Sequence, residues 1–333
     1  MMRRLLTPLL LACSLPALAS EAPVYGPELE GFDYPHPVKR FAFESQGVAV
    51  QMAYMDVQAD KPNGRTVVLM HGKNFCGATW EGSIDALSKA GYRVVVPDQV
   101  GFCKSSKPAH YQFSFHQLAA NTQALLESLD IDKVTVMGHS MGGMLATRFA
   151  LSYPDATEQL AMVNPIGLED WKTLGVPFIS VDQWYQSELK STAEGARNYQ
   201  KTTYYAGQWR AEFDRWVEMQ AGMMRGEGRE AVAWNSALTY DMIYTQPVVY
   251  EFDKLKMPVL LLIGEQDNTA PGKNAAPEEM RGKLGNYKAL GPATAERIPN
   301  ATLVTFPDLG HSPQIQEPDR FHKALLEGLA KKS

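Results

Sequence analysis

This sequence lacks concentrated positive charge and lacks clusters of metal-binding residues. Its 333 residues include 32 Lys and Arg against 37 Asp and Glu, for a net charge of −5, and the basic residues are scattered. Nucleic-acid phosphates are held by concentrated Lys and Arg, so we predict no nucleic-acid partner. No Cys-x-x-Cys pair and no His/Cys cluster occurs among the 3 Cys and 7 His. We therefore predict no metal site and no cofactor.

Long apolar runs are confined to the N-terminus. Arginines at positions 3 and 4 precede a mostly apolar stretch at residues 5–18, and Ala17-Leu18-Ala19 fits a small-x-small cleavage site. This order is typical of a secretory signal peptide, and the stretch is shorter than the ~20 residues that a spanning helix needs. We predict a signal peptide at residues 1–19, export to the periplasm or the medium, and no stable membrane insertion after cleavage.

The 3 cysteines leave two interpretations of processing open. Leu10-Leu11-Ala12-Cys13 resembles a lipoprotein cleavage box, in which Cys13 would be lipidated. The apolar run continues beyond Cys13, and for this reason we favour the signal peptide. Cleavage after Ala19 leaves Cys76 and Cys103, an even number of thiols in an oxidising compartment.

Strand and helix patterns alternate along most of the chain. Runs rich in β-branched residues at 66–70, 93–96 and 134–137 are each followed by a helical pattern. Such continuously apolar runs suit parallel strands that are buried on both faces. The other predicted elements are an antiparallel pair of strands at 38–43 and 48–55, strands at 258–263 and 301–306, and helices at 80–90, 115–129, 141–151 and 318–329. The alternation predicts an α/β fold with a mostly parallel central sheet flanked by helices.

The alternation is interrupted between residues 164 and 250. This segment holds five of the 6 Trp of the chain, and charged and apolar residues mix at roughly helical spacing from residue 207 to 224. We interpret it as a helical cap inserted into the α/β core. The predicted domains are thus the first part of the core at 20–163, the cap at 164–250 and the second part of the core at 251–333.

The motif Gly138-His139-Ser140-Met141-Gly142 lies directly between a predicted strand and a predicted helix. A serine on such a sharp turn has strained backbone angles, and the flanking glycines keep side chains out of a crowded space. The helix start behind it offers N–H groups to a developing oxyanion. A chance Gly-rich turn is the alternative. The similar Gly310-His311-Ser312 lacks the second glycine and is followed by Pro313, so Ser312 is not predicted to be a nucleophile.

A serine nucleophile needs a base, and the base needs an orienting acceptor. His311 follows the last predicted strand, and Asp267 follows the strand at 258–263. Both lie at carboxyl ends of parallel strands, as Ser140 does, and open α/β sheets carry their sites at that edge. The chain order Ser, Asp, His matches a known triad order. Glu265 is an alternative to Asp267 as the acid.

These motifs resemble the α/β-hydrolase superfamily, in particular the branch with a G-H-S-M-G-G elbow and a helical cap. The resemblance covers residues from about 39 to 330. It implies the α/β-hydrolase fold, with Ser140 as nucleophile, Asp267 as acid and His311 as base. Residues 71–75 are similar to the family's H-G-x loop, which implies that the oxyanion hole consists of the backbone amides of Lys73 and Met141.

A second loop, at residues 98–106, resembles the family's D-x-x-G-x-G-x-S pattern, with Cys103 where a glycine is usual. In the family the two strands that precede Cys76 and Cys103 are neighbours in the sheet. The resemblance therefore implies that the loops lie side by side, and we predict a disulfide between Cys76 and Cys103 in the exported protein. Two separate buried thiols are the alternative.

The resemblance implies an enzyme that cleaves a carboxylic ester or lactone through an acyl-enzyme intermediate, without a cofactor, and that takes a small-molecule ester-type substrate. Carbon–carbon bond hydrolases and cofactor-free peroxidases share the serine triad and remain alternatives. A non-catalytic binding protein on the same fold is an alternative of another class. Of the remaining histidines, His71 and His139 are expected to form structural hydrogen bonds. The others are expected at the surface: His36, His110, His116 and His322.

Overall fold

The computed structural model describes residues 22–331 and contains an eight-stranded sheet. The predicted signal peptide at 1–19 and Cys13 lie outside the described residues. None of the helices within 22–331 is long and apolar enough to cross a membrane. The strands are β1 Val38–Ser45, β2 Val48–Val57, β3 Thr66–Met70, β4 Arg93–Pro97, β5 Val134–His139, β6 Thr157–Val163, β7 Val259–Gly264 and β8 Ala301–Phe306.

The sheet order is β1-β2-β4-β3-β5-β6-β7-β8. β1 pairs antiparallel with β2, and β2 pairs antiparallel with β4. All pairs from β4 to β8 are parallel. The structure thus confirms the predicted, mostly parallel sheet, and it places the carboxyl ends of β3 to β8 along one edge.

Helices cover both faces of the sheet. The α-helices are α1 Glu81–Lys89, α2 Phe115–Ser128, α3 Met141–Ser152, α4 Val181–Glu188, α5 Ala193–Tyr199, α6 Asp214–Arg225, α7 Arg229–Thr245, α8 Glu278–Arg281, α9 Tyr287–Arg297, α10 Pro313–Gln316 and α11 Pro318–Ala330. Val67 and Leu69 of β3 pack in a core with residues of α1 and α11. Val68 and Met70 point to the other face, into a core with residues of α2, α3 and α9. This alternation explains why β3 is apolar at both faces.

Besides the four-residue helices α8 and α10, two longer elements of the core are absent from the sequence prediction. β6 lies between β5 and β7 and completes the parallel part of the sheet. α9 lies between β7 and β8 and carries Gly291 and Pro292 in its interior, a pair that normally argues against a helix. A Cβ on Gly291 would lie 3.3 Å from Cγ1 of Ile263. The glycine therefore allows α9 to approach β7 closely.

Helices α4 to α7 lie between β6 and β7, inside the segment predicted as a cap. The bounds 164 and 250 remain a prediction. A short π-helical turn, Gln200–Tyr204, follows α5 directly. The segment before β1, residues 22–37, packs on α6, where Tyr25 N donates to Gly222 O at 3.0 Å.

Candidate active site

Ser140 lies on a strained turn between β5 and α3. Its backbone has φ +58° and ψ −124°, a region that L-residues other than glycine rarely adopt. A Cβ on Gly138 would lie 2.0 Å from Gly142 O, and one on Gly142 would lie 2.1 Å from Met70 O. Both flanking glycines are thus required by the close approach of backbone atoms. Strain of this kind is typical of functional positions.

His311 and Asp267 meet at the same edge of the sheet. His311 Nδ1 lies 2.6 Å from Asp267 Oδ2, and both side chains are buried. A carboxylate at Nδ1 holds the proton on that nitrogen and leaves Nε2 free to act as the base. Nε2 of His311 has no hydrogen-bond partner within residues 22–331. In enzymes without substrate the contact from base to nucleophile is commonly long and tightens on binding.

Asp267 is held by donors that the sequence analysis did not identify. Asn164 Nδ2 donates to Asp267 Oδ2 at 2.9 Å, and the same side chain exchanges hydrogen bonds with both backbone groups of Gly264. The backbone N–H and the hydroxyl of Thr269 donate to Asp267 Oδ1 at 2.8 and 2.7 Å. The carboxylate is thus fixed for His311. Glu265, the alternative acid, makes no hydrogen bond to His311 in the described part of the chain.

The loop that follows β3 lies against the nucleophile. A Cβ on Gly72 would lie 2.9 Å from Cβ of Ser140, so only glycine permits this contact. Among the described residues, the backbone amides of Lys73 and Met141 have no hydrogen-bond acceptor. Two free amides beside the nucleophile can stabilise a tetrahedral oxyanion. Their role as the oxyanion hole remains a prediction.

The cap supports the loop that carries the histidine. His311 N donates to Thr203 O at 3.1 Å, and Ser312 N donates to Tyr204 O at 3.1 Å. The ring of Tyr204 lies 5.0 Å from that of His311, and its hydroxyl accepts a hydrogen bond from Asn74 Nδ2 at 2.9 Å. The π-helical turn therefore connects His311 with the loop that carries Lys73, although the cap holds no triad residue.

Two buried histidines beside the site form structural hydrogen bonds, as predicted. His71 Nε2 accepts from Gln99 N at 3.1 Å, and its Nδ1 donates to Gly72 O at 2.8 Å. His139 Nε2 donates to His311 O at 2.8 Å. Burial lowers the pKa of His71 and holds the pKa of His139 well below its usual value, so both are neutral donors and acceptors.

The surface position predicted for His322 is wrong. The amphipathic face of α11 turns this residue inwards, where it is 9% exposed. Its Nε2 lies 2.9 Å from the hydroxyl of Ser83 in α1. Burial lowers the pKa of His322 to about 4. His322 is therefore a neutral packing residue between two helices.

Cys76 and Cys103 are joined by a disulfide, with Cα atoms 5.8 Å apart. Cys103 has φ +45°, a left-handed conformation that favours glycine. Glycine is the usual residue here in the family pattern that residues 98–106 resemble. Asp98 lies beside both sulfurs, but sulfurs bonded to each other offer no thiolate to a metal ion. The bridge ties the loop after β3 to the loop after β4.

A cavity of about 560 Å³ lies between these two loops and the cap. Its lining includes Lys73 but neither Ser140 nor His311. A smaller cavity of about 340 Å³ follows the loop after Asp267. Tyr199 and Tyr240 line both cavities and so form a partition between them. Ser140 itself is 7% exposed.

Comparisons with known proteins agree with this geometry. A family model described as the alpha/beta hydrolase fold matches residues 65–318. A crystal structure of a probable hydrolytic enzyme from Pseudomonas aeruginosa PAO1 is 69% identical, with a TM-score of 0.93, and the match covers 94% of this chain and 100% of that one.

Two named relatives are more distant. The 2-hydroxy-6-oxononadienedioate/2-hydroxy-6-oxononatrienedioate hydrolase of Comamonas testosteroni is 23% identical over 285 residues. The 2-hydroxy-6-oxo-6-phenylhexa-2,4-dienoate hydrolase of Burkholderia cepacia is 24% identical over 285 residues. Each match covers 81% of this chain and 90% of the relative.

Proposed function

The chain belongs to the α/β-hydrolase family, and on that premise we propose that it is a serine hydrolase that cleaves a carboxylic ester or a lactone. The observation that carries the proposal is the buried pair of His311 and Asp267, 2.6 Å apart, at the sheet edge that also carries Ser140 on its strained turn. The substrate class is a small-molecule ester.

In the proposed mechanism the hydroxyl oxygen of Ser140 attacks the carbonyl carbon, and His311 Nε2 takes the hydroxyl proton. Asp267 stabilises the imidazolium that forms. The amides of Lys73 and Met141 donate to the oxyanion. When the tetrahedral intermediate collapses, His311 gives its proton to the leaving alcohol and an acyl-enzyme remains. A water molecule, activated by His311, then releases the acid.

Carbon–carbon bond hydrolysis is the second candidate. The names of the two relatives from Comamonas testosteroni and Burkholderia cepacia describe hydrolases of 2-hydroxy-6-oxo-dienoate compounds. The same triad can attack the ketone of such a compound, with a carbon atom as the leaving group. The two candidates differ in their leaving group, so a substrate panel separates them.

Export is part of the proposal. The N-terminal pattern motivates it, and the disulfide between Cys76 and Cys103 supports it, because disulfides persist in oxidising compartments and are rare in the cytosol.

The test is turnover by the purified protein on aryl esters, alkyl esters, lactones and vinylogous diketones. Ser140→Ala, His311→Ala and Asp267→Asn should each lower ester turnover by roughly 10⁴-fold or more, and their effects should not add. Glu265→Gln is the matched control and should leave turnover unchanged. Turnover confined to the diketones would favour the second candidate, and near-normal ester turnover by Ser140→Ala would contradict both.

A further inference from the structure

The larger cavity is lined by an excess of positive charge. The lining includes one carboxylate, Glu188, and four cationic residues: Lys73, Lys107, Lys190 and Arg225. Arg225 is paired with Glu218 outside the lining at 2.8 Å, so the unbalanced charge comes from the lysines. The chain as a whole carries a net charge of −5, so this concentration is local. Low-dielectric walls around charges of one sign strengthen their field inside a cleft.

Lys107 is a half-buried cation that forms no salt bridge among the described residues, although the carboxylates of Asp98, Glu28 and Glu30 lie near enough to favour its charged form. Its Nζ donates to Cys103 O at 2.6 Å and to Ser105 O at 3.2 Å. An ammonium group has three N–H donors, so one remains for a ligand. Burial lowers the pKa of Lys107 to about 8, so the amine is still mostly charged at neutral pH. A partly desolvated ammonium group without a carboxylate in contact is costly, and an anionic ligand would supply that contact.

Lys73 connects this cavity with the nucleophile. Its backbone amide lies in the loop against Ser140, while its side chain crosses into the cap and is 8% exposed. There Nζ donates to the hydroxyl of Ser236 at 2.6 Å and lies 3.6 Å from the ring centroid of Tyr240. Glu188 Oε1 lies 3.8 Å from Nζ. Lys73 therefore belongs to both sites: its backbone amide is part of the predicted oxyanion hole, and its side chain lines the cationic cavity.

We propose that this cavity binds a carboxylate group of the substrate, so that the preferred ester is a half-ester of a dicarboxylic acid. Lys107 pairs with the carboxylate directly, and Lys73 adds a second positive charge on the side of the scissile carbonyl. The apolar part of the lining, with Phe75, Phe102 and Val232, suits the methylene chain between the two carbonyl groups. This inference rests on the proposed ester hydrolysis.

The test compares two esters of equal chain length, mono-4-nitrophenyl adipate and 4-nitrophenyl hexanoate. The wild-type protein should show at least roughly tenfold higher kcat/KM on the adipate ester, the size expected for one charge-assisted contact. Lys107→Met should bring the ratio of the two kcat/KM values close to one, chiefly by lowering the value for the adipate ester. Lys107→Arg should keep the preference, since it keeps the charge. Lys133→Met, an exposed lysine before β5 at the opposite edge of the sheet, is the matched control and should change neither value.

A binding experiment separates this inference from the proposed ester hydrolysis. Adipate and 1,6-hexanediol are titrated into Ser140→Ala by calorimetry, with and without Lys107→Met. Adipate alone should bind, and Lys107→Met should weaken it by about tenfold or more. Hydrolysis of both esters with a ratio near one, or adipate binding unchanged by Lys107→Met, would overturn the inference. Adipate binding that depends on Lys107, in a protein that hydrolyses neither ester, would keep the anion site and reject the ester reaction.

Discussion

Removal of the disulfide between Cys76 and Cys103 should destabilise the protein by an amount that can be worked out from the chain. The two residues are 27 positions apart. Closing a loop of that length lowers the conformational entropy of the unfolded state, which raises the free energy of unfolding by about 3–4 kcal/mol. The Cα separation of 5.8 Å lies in the usual range, so the bridge fits the folded backbone. For a chain of this size the change corresponds to a fall in Tm of about 4–6 °C.

Two double variants distinguish the bridge from the backbone conformation at residue 103. Both carry Cys76→Ala, and the second change is either Cys103→Ala or Cys103→Gly. Because φ at this position is +45°, the glycine variant should be more stable than the alanine variant by about 0.5–1 kcal/mol, after allowance for the greater freedom of glycine in the unfolded chain.

Urea denaturation of the oxidised wild type, the reduced wild type and both double variants measures these differences. Oxidised protein should have the highest midpoint, followed by the glycine and then the alanine variant. If oxidised wild type and both variants shared one midpoint, the loop-closure argument would be refuted. A more stable alanine variant would refute the argument from φ.

Three further predictions follow from neighbouring contacts. Asn164→Ala should lower the free energy of unfolding by about 1–3 kcal/mol, because its buried partners lose hydrogen bonds. It should also lower kcat, because Asp267 is no longer fixed. An unchanged kcat in Asn164→Ala would contradict the second point. His322 has a folded-state pKa of about 4 against about 6.5 when unfolded. It should therefore cost stability as pH falls from about 6.5 to about 4, by about 3 kcal/mol in total, and denaturation of His322→Gln should lack this part of the pH dependence. Tyr204→Ala should lower kcat by roughly tenfold, since it removes the ring beside His311, whereas Tyr204→Phe should retain most of the turnover.

The parts of the site that the sequence indicates are those with a local signature. The turn at Ser140 is recognisable because its glycines are adjacent to it in the chain and are imposed by backbone contacts. Asp267 and His311 could be placed because each follows an apolar strand, and the structure shows that they lie in contact.

The parts that the sequence does not indicate depend on partners far along the chain. Asn164 lies 103 positions before the carboxylate that it holds, and it follows β6, a strand that is absent from the sequence prediction. His322 lies on the same helical face of α11 as Leu325 and Leu329, so the spacing within α11 could have indicated its burial, whereas its partner Ser83 lies 239 positions away in α1. The cationic lining of the larger cavity assembles loops after β3 and β4 with helices of the cap, so its charges become visible only in three dimensions.

The central claim is that Ser140 is a nucleophile activated by His311. Incubation of the purified protein with a fluorophosphonate, followed by mass spectrometry of the intact chain and its peptides, tests it most directly. One phosphonyl group per chain should be found, on the peptide that contains Ser140, with none on Ser140→Ala and much slower labelling of His311→Ala. Labelling of another residue, or equal labelling of wild type and Ser140→Ala, would contradict the claim.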